Sequence, residues 1–199
     1  MEIPSGRTVG SSLKNLEVRG NVLLVGATSD IGNAILKQII HHESNTLYLI
    51  GNSPDNIQIY EAWTGEVVHF RCDFTNQASL IEGVNFIDQL PSLAFAIVAS
   101  GHLPLENLDT KSESILPTFQ INSIGVIILA AAIMRKFQWQ NRGILLLISS
   151  VAAVRPRVRN FTYGASKAAS DFFARGMASK YNSKNVKVKV LRPGFVHTK

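Results

Sequence analysis

Tyr163 and Lys167 stand four positions apart in a stretch, from about Thr162 to Tyr181, that reads as a helix. That spacing puts both side chains one turn apart on one face. A phenol with an ordinary pKa of about 10 is a poor base near neutrality, and an adjacent ammonium favours the phenolate and lowers that value. Lowering it by about 2 to 3 pH units takes roughly 3 to 4 kcal/mol of differential stabilisation, within reach of a partly desolvated site that holds a second cation. Ser149 and Ser150 follow the apolar run Ile144 to Ile148, and thirteen positions separate Ser150 from Tyr163. That is enough chain for a loop that returns to start the helix beside the serine. A hydroxyl there can hydrogen-bond the same substrate oxygen that Tyr163 protonates. Viewed singly, the tyrosine and lysine also suit a surface pair, and the serine a turn or a helix cap.

A second cluster is Gly26-Ala27-Thr28-Ser29-Asp30-Ile31-Gly32, a run of small residues between an apolar strand and a helix. The backbone N–H groups and helix N-terminus of such a turn can hold a pyrophosphate. Gly26 allows the tight turn and Gly32 lets the helix approach the strand, because neither carries a Cβ. The spacing is not G-x-G-x-x-G, and Asp30 stands where a glycine is expected. An ordinary turn with Asp30 capping the helix is the other reading.

The elements that must position these groups follow from periodicity. Val22 to Val25, Thr46 to Ile50, Val67 to Cys72, Leu93 to Ala99, Ile144 to Ile148 and Val186 to Leu191 read as strands. A first helix carries Ile31, Ala34, Ile35 and Ile39, and a long one spans about Ser114 to Phe137 with Pro117 in its first turn or at a kink. Several strands are apolar throughout, as when helices cover both faces of a parallel sheet. The predicted fold class is α/β, a Rossmann-like doubly wound sheet. Such sheets bind ligands beyond the carboxyl ends of their strands, where these motifs fall.

The 199 residues, 46% hydrophobic and 17% charged, suit one compact domain and exclude disorder as the dominant state. Cys72, alone of its kind, excludes an internal disulfide framework and reads as a core filler in a reducing, cytoplasmic setting. His41, His42, His69, His102 and His197 show no metal-ligand spacing, so no metal is expected. The charge of +6 is scattered without interleaved aromatics, which argues against nucleic acid. The longest apolar run, Ile124 to Met134, is shorter than the roughly 20 residues of a membrane span. Residues 1–20 read as a loose N-terminal arm, and 21–199 as the domain.

Taken together, the motifs resemble the short-chain dehydrogenase/reductase family over about Asn21 to Lys199. The matching residues are the turn Gly26 to Gly32, Asp73 after the third strand, Asn122, Ser150, Tyr163 with Lys167, and Pro193-Gly194-Phe195-Val196-His197-Thr198. The resemblance implies hydride transfer between a nicotinamide cofactor and a carbonyl or secondary alcohol. Tyr163 would be the general acid or base, Lys167 would lower its pKa and hold the nicotinamide ribose, Ser150 would orient and polarise the carbonyl, and Asn122 would support a proton relay. The cofactor would lie along Gly26, Thr28, Ser29, Ile31 and Gly32, along Asn52 and Ser53, and along Asp73 and Phe74. From there it would pass Ala99, Ser100 and Gly101, Tyr163 and Lys167, and reach Pro193, Gly194, Val196 and Thr198. Asp73 would accept from the adenine amino group and Thr198 would contact the nicotinamide amide. Ala99-Ser100-Gly101 departs from the family's Asn-Ala-Gly, and Asp30 brings a carboxylate near the pyrophosphate.

No acidic residue closes the second strand at Leu49-Ile50-Gly51-Asn52-Ser53. That favours NADP and leaves NAD open, since no arginine stands ready for a 2′-phosphate either. Arg155, Arg157 and Arg159, in the loop between Ser150 and Tyr163, suit an anionic or phosphorylated substrate, or else form a solvated basic loop. This loop, the glycine turn and the ending R-P-G-F-V-H-T-K are also similar to reductases of polyprenyl-phosphoryl 2-keto-ribose, which implies a lipid-linked keto-sugar and peripheral contact with a membrane. Family members continue past the Pro-Gly motif with a lid and a further strand, so a sheet without those parts is expected. The competing function is a catalytically weak or inactive NADP-binding module. Ala130, Ala131 and Ala132 on the long helix, with Ala165, Ala169, Phe172, Phe173 and Gly176 on the later one, mark faces that family members pair into homo-oligomers.

Overall fold

The computed structural model describes residues 16–40, 45–53, 63–104 and 111–194. Its centre is a six-stranded, wholly parallel sheet of β2 (Asn21–Val25), β4 (Leu47–Gly51), β5 (Val67–Arg71), β6 (Leu93–Val98), β7 (Gly143–Ile148) and β8 (Val186–Leu191). The strands lie in the order β5-β4-β2-β6-β7-β8. Chain order reverses direction between β2 and β6, the switch point at which such sheets open a crevice. The Rossmann-like expectation is met.

Alternation along the strands divides their side chains between two cores. Leu23, Val25, Ile50, Val98, Leu145 and Leu147 face one side, where α2 (Gln77–Gln89), α4 (Val126–Trp139) and α5 (Phe161–Tyr181) bring Leu80, Leu129, Ile133, Phe137 and Met177. Val22, Leu24, Leu47, Leu49, Ile97 and Ile148 face the other, where α1 (Asp30–Leu36) contributes Ile35 and Leu36. This two-sided burial explains why the strands read as unbroken apolar runs. The described sheet ends at β8, where exposed Lys189 alternates with buried Val186 and Val188.

The long helix runs from Ser112 to Trp139 and is long and apolar enough, by length and composition, to cross a membrane. Here it is a core helix, because Val126, Leu129, Ile133 and Phe137 pack on the sheet. It is not uniform. The α3 segment (Ser112–Phe119) passes through a π-helical turn, Gln120–Gly125, before α4 begins, with Pro117 inside α3.

Two expectations change. The first helix ends at Leu36, and Ile39 lies in a short strand β3 (Ile39–Ile40) that pairs with β1 (Leu16–Glu17). The last part of the supposed loose arm is therefore ordered, with Val18 buried against the second core. Residues 1–15 lie outside the described residues. The helix α2 carries no prediction above, although Asn76 caps it by accepting from Ser79 N, and Leu80, Gly83 and Ile87 line its buried face.

Candidate active site

The glycine turn joins β2 to α1 at the switch point. Gly26 has φ +91°, and a Cβ there would fall 2.5 Å from Ser100 N, so only glycine lets the end of β2 touch the end of β6. Gly32 does the same for the helix, since a Cβ there would meet Leu24 Cδ1 at 2.8 Å and Ala99 Cβ at 3.0 Å. The helix cap is Ser29, whose Oγ accepts from Gly32 N at 3.2 Å. Asp30 is therefore not the cap. It occupies the first turn, exposed, and lines the crevice.

That crevice has a volume of about 330 Å³. Gly26, Thr28, Ser29, Ile31, Ala99, Ser100, Gly101, Tyr163 and Lys167 all line it, together with Leu103, Ile148 and Ser149. Nine predicted residues from three separate stretches of chain are thus brought to one place. Ser100 Oγ is buried here with no hydrogen-bond partner, a donor and acceptor that a polar ligand would satisfy.

Lys167 crosses beneath the crevice floor. The residue is 3% exposed, and its amine donates to Ser100 O at 2.8 Å and Ile148 O at 3.3 Å, the carbonyls just beyond β6 and at the end of β7. Burial pushes its pKa down to about 8. Tyr163, half-buried one turn earlier, has its phenol pushed above the ordinary value by burial, against a hydrogen bond with Ser150 that acts the other way. The phenol pKa is raised where a lowering by Lys167 is expected. The low-dielectric surroundings disfavour phenolate and ammonium alike. Ser150 is near enough to act on the Tyr163 phenol, and its Oγ accepts from Ala152 N at 3.1 Å in the turn Val151–Ala153.

Asn122, fully buried in the π-helical turn, holds the chain beyond β6 to α5. Its Oδ1 accepts from His102 N at 2.6 Å, while Nδ2 donates to His102 O at 2.8 Å and to Ser166 Oγ at 2.9 Å. The side chain makes no hydrogen bond to Lys167, so the expected relay has no direct link here.

The remaining predicted residues lie around this centre. Gly51 abuts the glycine turn, a Cβ on it falling 3.3 Å from Ala27 N, and Asn52 and Ser53 follow it, exposed. The Asp73 carboxyl is held below its ordinary range by hydrogen bonds from the Thr75 side chain and backbone, both to Oδ1. The Phe74 ring does not line the crevice; it packs in the first core against Gly125, where a Cβ would meet it at 2.9 Å. Pro193 O accepts from Val151 N at 3.1 Å, which sets Pro193 and Gly194 beside the Ser150 segment. Val196 and Thr198 lie outside the described residues. Arg155 and Arg159 are exposed and Arg157 half-buried, and none of the three lines the crevice. Among the described residues, no group of three or more His, Cys, Asp or Glu converges to hold a metal.

The depressed lysine pKa has a stability consequence. Between pH 8 and the ordinary value of 10.5 the unfolded chain keeps a proton on this amine that the folded protein has lost. The contribution of Lys167 to stability therefore rises with pH across that window. In denaturant unfolding, wild type should gain about 2 to 3 kcal/mol on Lys167→Met over this range. A gap that does not change with pH would assign the amine its ordinary pKa.

A family model described as short chain dehydrogenase matches residues 20–199. The chain is 24% identical over 178 residues to a carbonyl reductase family member 4 from Xenopus tropicalis, an alignment spanning 87% of this chain and 74% of the relative. Its fold is similar to that of a short-chain dehydrogenase from Sphingobium yanoikuyae in complex with NADPH, with TM-score 0.77 and 20% identity over 90% of this chain and 72% of the other. It is also similar to an NAD+-bound xylitol dehydrogenase, with TM-score 0.76, 20% identity and the same shares. The match over nearly the whole chain, on a sheet with its crevice at the switch point, makes this protein a member of the short-chain dehydrogenase/reductase family of oxidoreductases.

Proposed function

We propose that the protein reduces a carbonyl to a secondary alcohol, or runs the reverse oxidation, with NADP as cofactor and NAD as the lesser alternative. The observation that carries this reading is that Tyr163 and Lys167 line the crevice the glycine turn opens, with Ser150 immediately after its lining residue Ser149. The residues fit a dinucleotide. Gly26 leaves backbone room at the phosphate end, Ser100 Oγ offers an unused polar atom, and no acidic side chain stands at Asn52 or Ser53 to repel a 2′-phosphate. The nearby NADPH- and NAD+-bound folds support both cofactors.

When bound, the cofactor supplies or takes the hydride at the carbonyl carbon. The chain does the rest. Tyr163, kept protonated near neutrality by its burial, donates its phenol proton to the carbonyl oxygen in the reducing direction. Ser150, close to that phenol, shares the substrate oxygen and polarises it. Lys167, anchored on two strand-end carbonyls, holds the ribose and, when charged, stabilises the phenolate left behind. Asn122 keeps the β6 end and α5 at fixed separation.

The alternative is a nucleotide-binding module with little turnover. Stopped-flow absorbance with NADPH and a panel of ketones separates the two. The expected result is NADPH oxidation by wild type and a loss of at least about 100-fold in Tyr163→Phe with NADPH binding intact. Tight NADPH binding without oxidation of any ketone would favour the module.

For the substrate, the three arginines within the loop between Ser150 and Tyr163 support an anionic or phosphorylated ketone, a lipid-linked keto-sugar among them, presented to a cytoplasmic enzyme at a membrane surface. Arg157→Ala with Arg159→Ala should then raise KM for a phosphorylated ketose about tenfold while sparing NADPH affinity. Unchanged kinetics would assign these residues to the solvated surface.

For assembly, a groove of about 780 Å³ between α4 and α5, lined by Ala131, Met134, Phe172, Phe173, Gly176 and Met177, supports pairing with a second copy. Phe172 is 71% exposed there, an apolar surface that a monomer would leave wet. Sedimentation should show a wild-type oligomer that Phe172→Arg dissociates, and a monomeric wild type would remove the proposal.

A further inference from the structure

A buried carboxylate that the proposed chemistry does not use is Asp171, which is 1% exposed. A carboxylate taken out of water at this depth is tolerated only when paired and fully hydrogen-bonded. Asp171 accepts three N–H groups. Arg192 Nε reaches Oδ2 at 2.7 Å and Arg192 Nη2 reaches Oδ1 at 2.8 Å, a two-pronged contact, and Arg175 Nε adds a third at 3.0 Å to Oδ1.

The two arginines differ in what they join. Arg175 lies one turn along the same helix and packs over the Phe172 ring, 5.3 Å from its centroid. It connects α5 only to itself. Arg192 comes from the far end of β8, immediately before Pro193. Its neighbours bind the chain on either side of Ser150, for Ser149 N donates to Leu191 O at 2.7 Å and Val151 N donates to Pro193 O at 3.1 Å. Arg192 thus lies across from Ser150. Asp171 follows Lys167 by one helical turn and Tyr163 by two, so it belongs to the same face of α5.

We propose that the Asp171–Arg192 contact is a positioning device for the reaction, fixing the α5 face that carries Tyr163 and Lys167 against the backbone that carries Ser150. Neither residue touches the reacting atoms. They act by holding the phenol and the serine hydroxyl at hydrogen-bonding separation, and a small error in such a separation costs rate more than it costs binding. The inference rests on the reading of Tyr163 and Ser150 given above.

The test compares Asp171→Asn, Arg192→Gln and Arg175→Gln in the full chain, measuring melting temperature, NADPH affinity, kcat and KM for the best ketone of the panel. All three variants weaken the buried pair, so all three lower the melting temperature. The proposal expects Asp171→Asn and Arg192→Gln to lose about tenfold in kcat with KM within about twofold, while Arg175→Gln keeps the wild-type kcat. The double variant should be no slower than either single one. Arg192→Gln leaves the carboxylate paired with Arg175 and keeps the comparison decisive if Asp171→Asn fails to fold. Wild-type kcat in Arg192→Gln, or an equal loss in Arg175→Gln, overturns the positioning role and leaves a purely structural pair. Wild-type protein that binds NADPH and reduces no ketone overturns the reading of the site, and the positioning role with it.

Discussion

The ammonium of Lys167 is the fixed point of this molecule. It sits under the crevice on carbonyls from two neighbouring strands, Ser100 O and Ile148 O, so the floor of the site and the helix that carries the tyrosine are one unit. A buried cation on neutral carbonyls is an expensive arrangement, which its depressed pKa records. The surrounding contacts make it persist. Asn122 binds the chain after β6 to α5, Ser170 Oγ donates to Lys167 O, and Gly26 brings β2 against the backbone at Ser100. The same burial disfavours charge on both the amine and the phenol.

Much of this was legible in the sequence because it depends on local spacing. A separation of four positions between Tyr163 and Lys167 fixes a common helical face whatever the rest of the chain does, and the unbroken apolar strands announce a sheet covered on both sides. Ser150 could be placed because the end of an apolar strand is the ligand end in this architecture. The cap of α1 was less readable: Ser29 and Asp30 are both good capping residues, and only the backbone angles of Ser29 decide between them. The two-residue ladder of β1 with β3 is too short to leave a periodic signal, and α2 presents only Leu80, Gly83 and Ile87 as its buried stripe.

What the sequence hides is long-range. The spacing of Lys167, Asp171 and Arg175 is plain on a helical wheel, but nothing local says that Arg192 meets Asp171, because that contact exists only after β8 has taken its place beside β7. The electrostatic sign at Tyr163 is hidden for the same reason. Adjacent opposite or like charges can be read from spacing, whereas desolvation depends on everything packed above the pair.

The π-helical turn at Gln120–Gly125 interrupts what would otherwise be one continuous screw. A wider turn shifts the angular phase of every residue after it, so α3 and α4 keep separate azimuths although they share an axis. Asn122 sits at the joint, aimed at the catalytic side, while the stripe of Leu129, Ile133 and Phe137 obeys the sheet alone. A substitution in α3 can consequently alter that segment without rotating the Leu129, Ile133 and Phe137 stripe on the sheet.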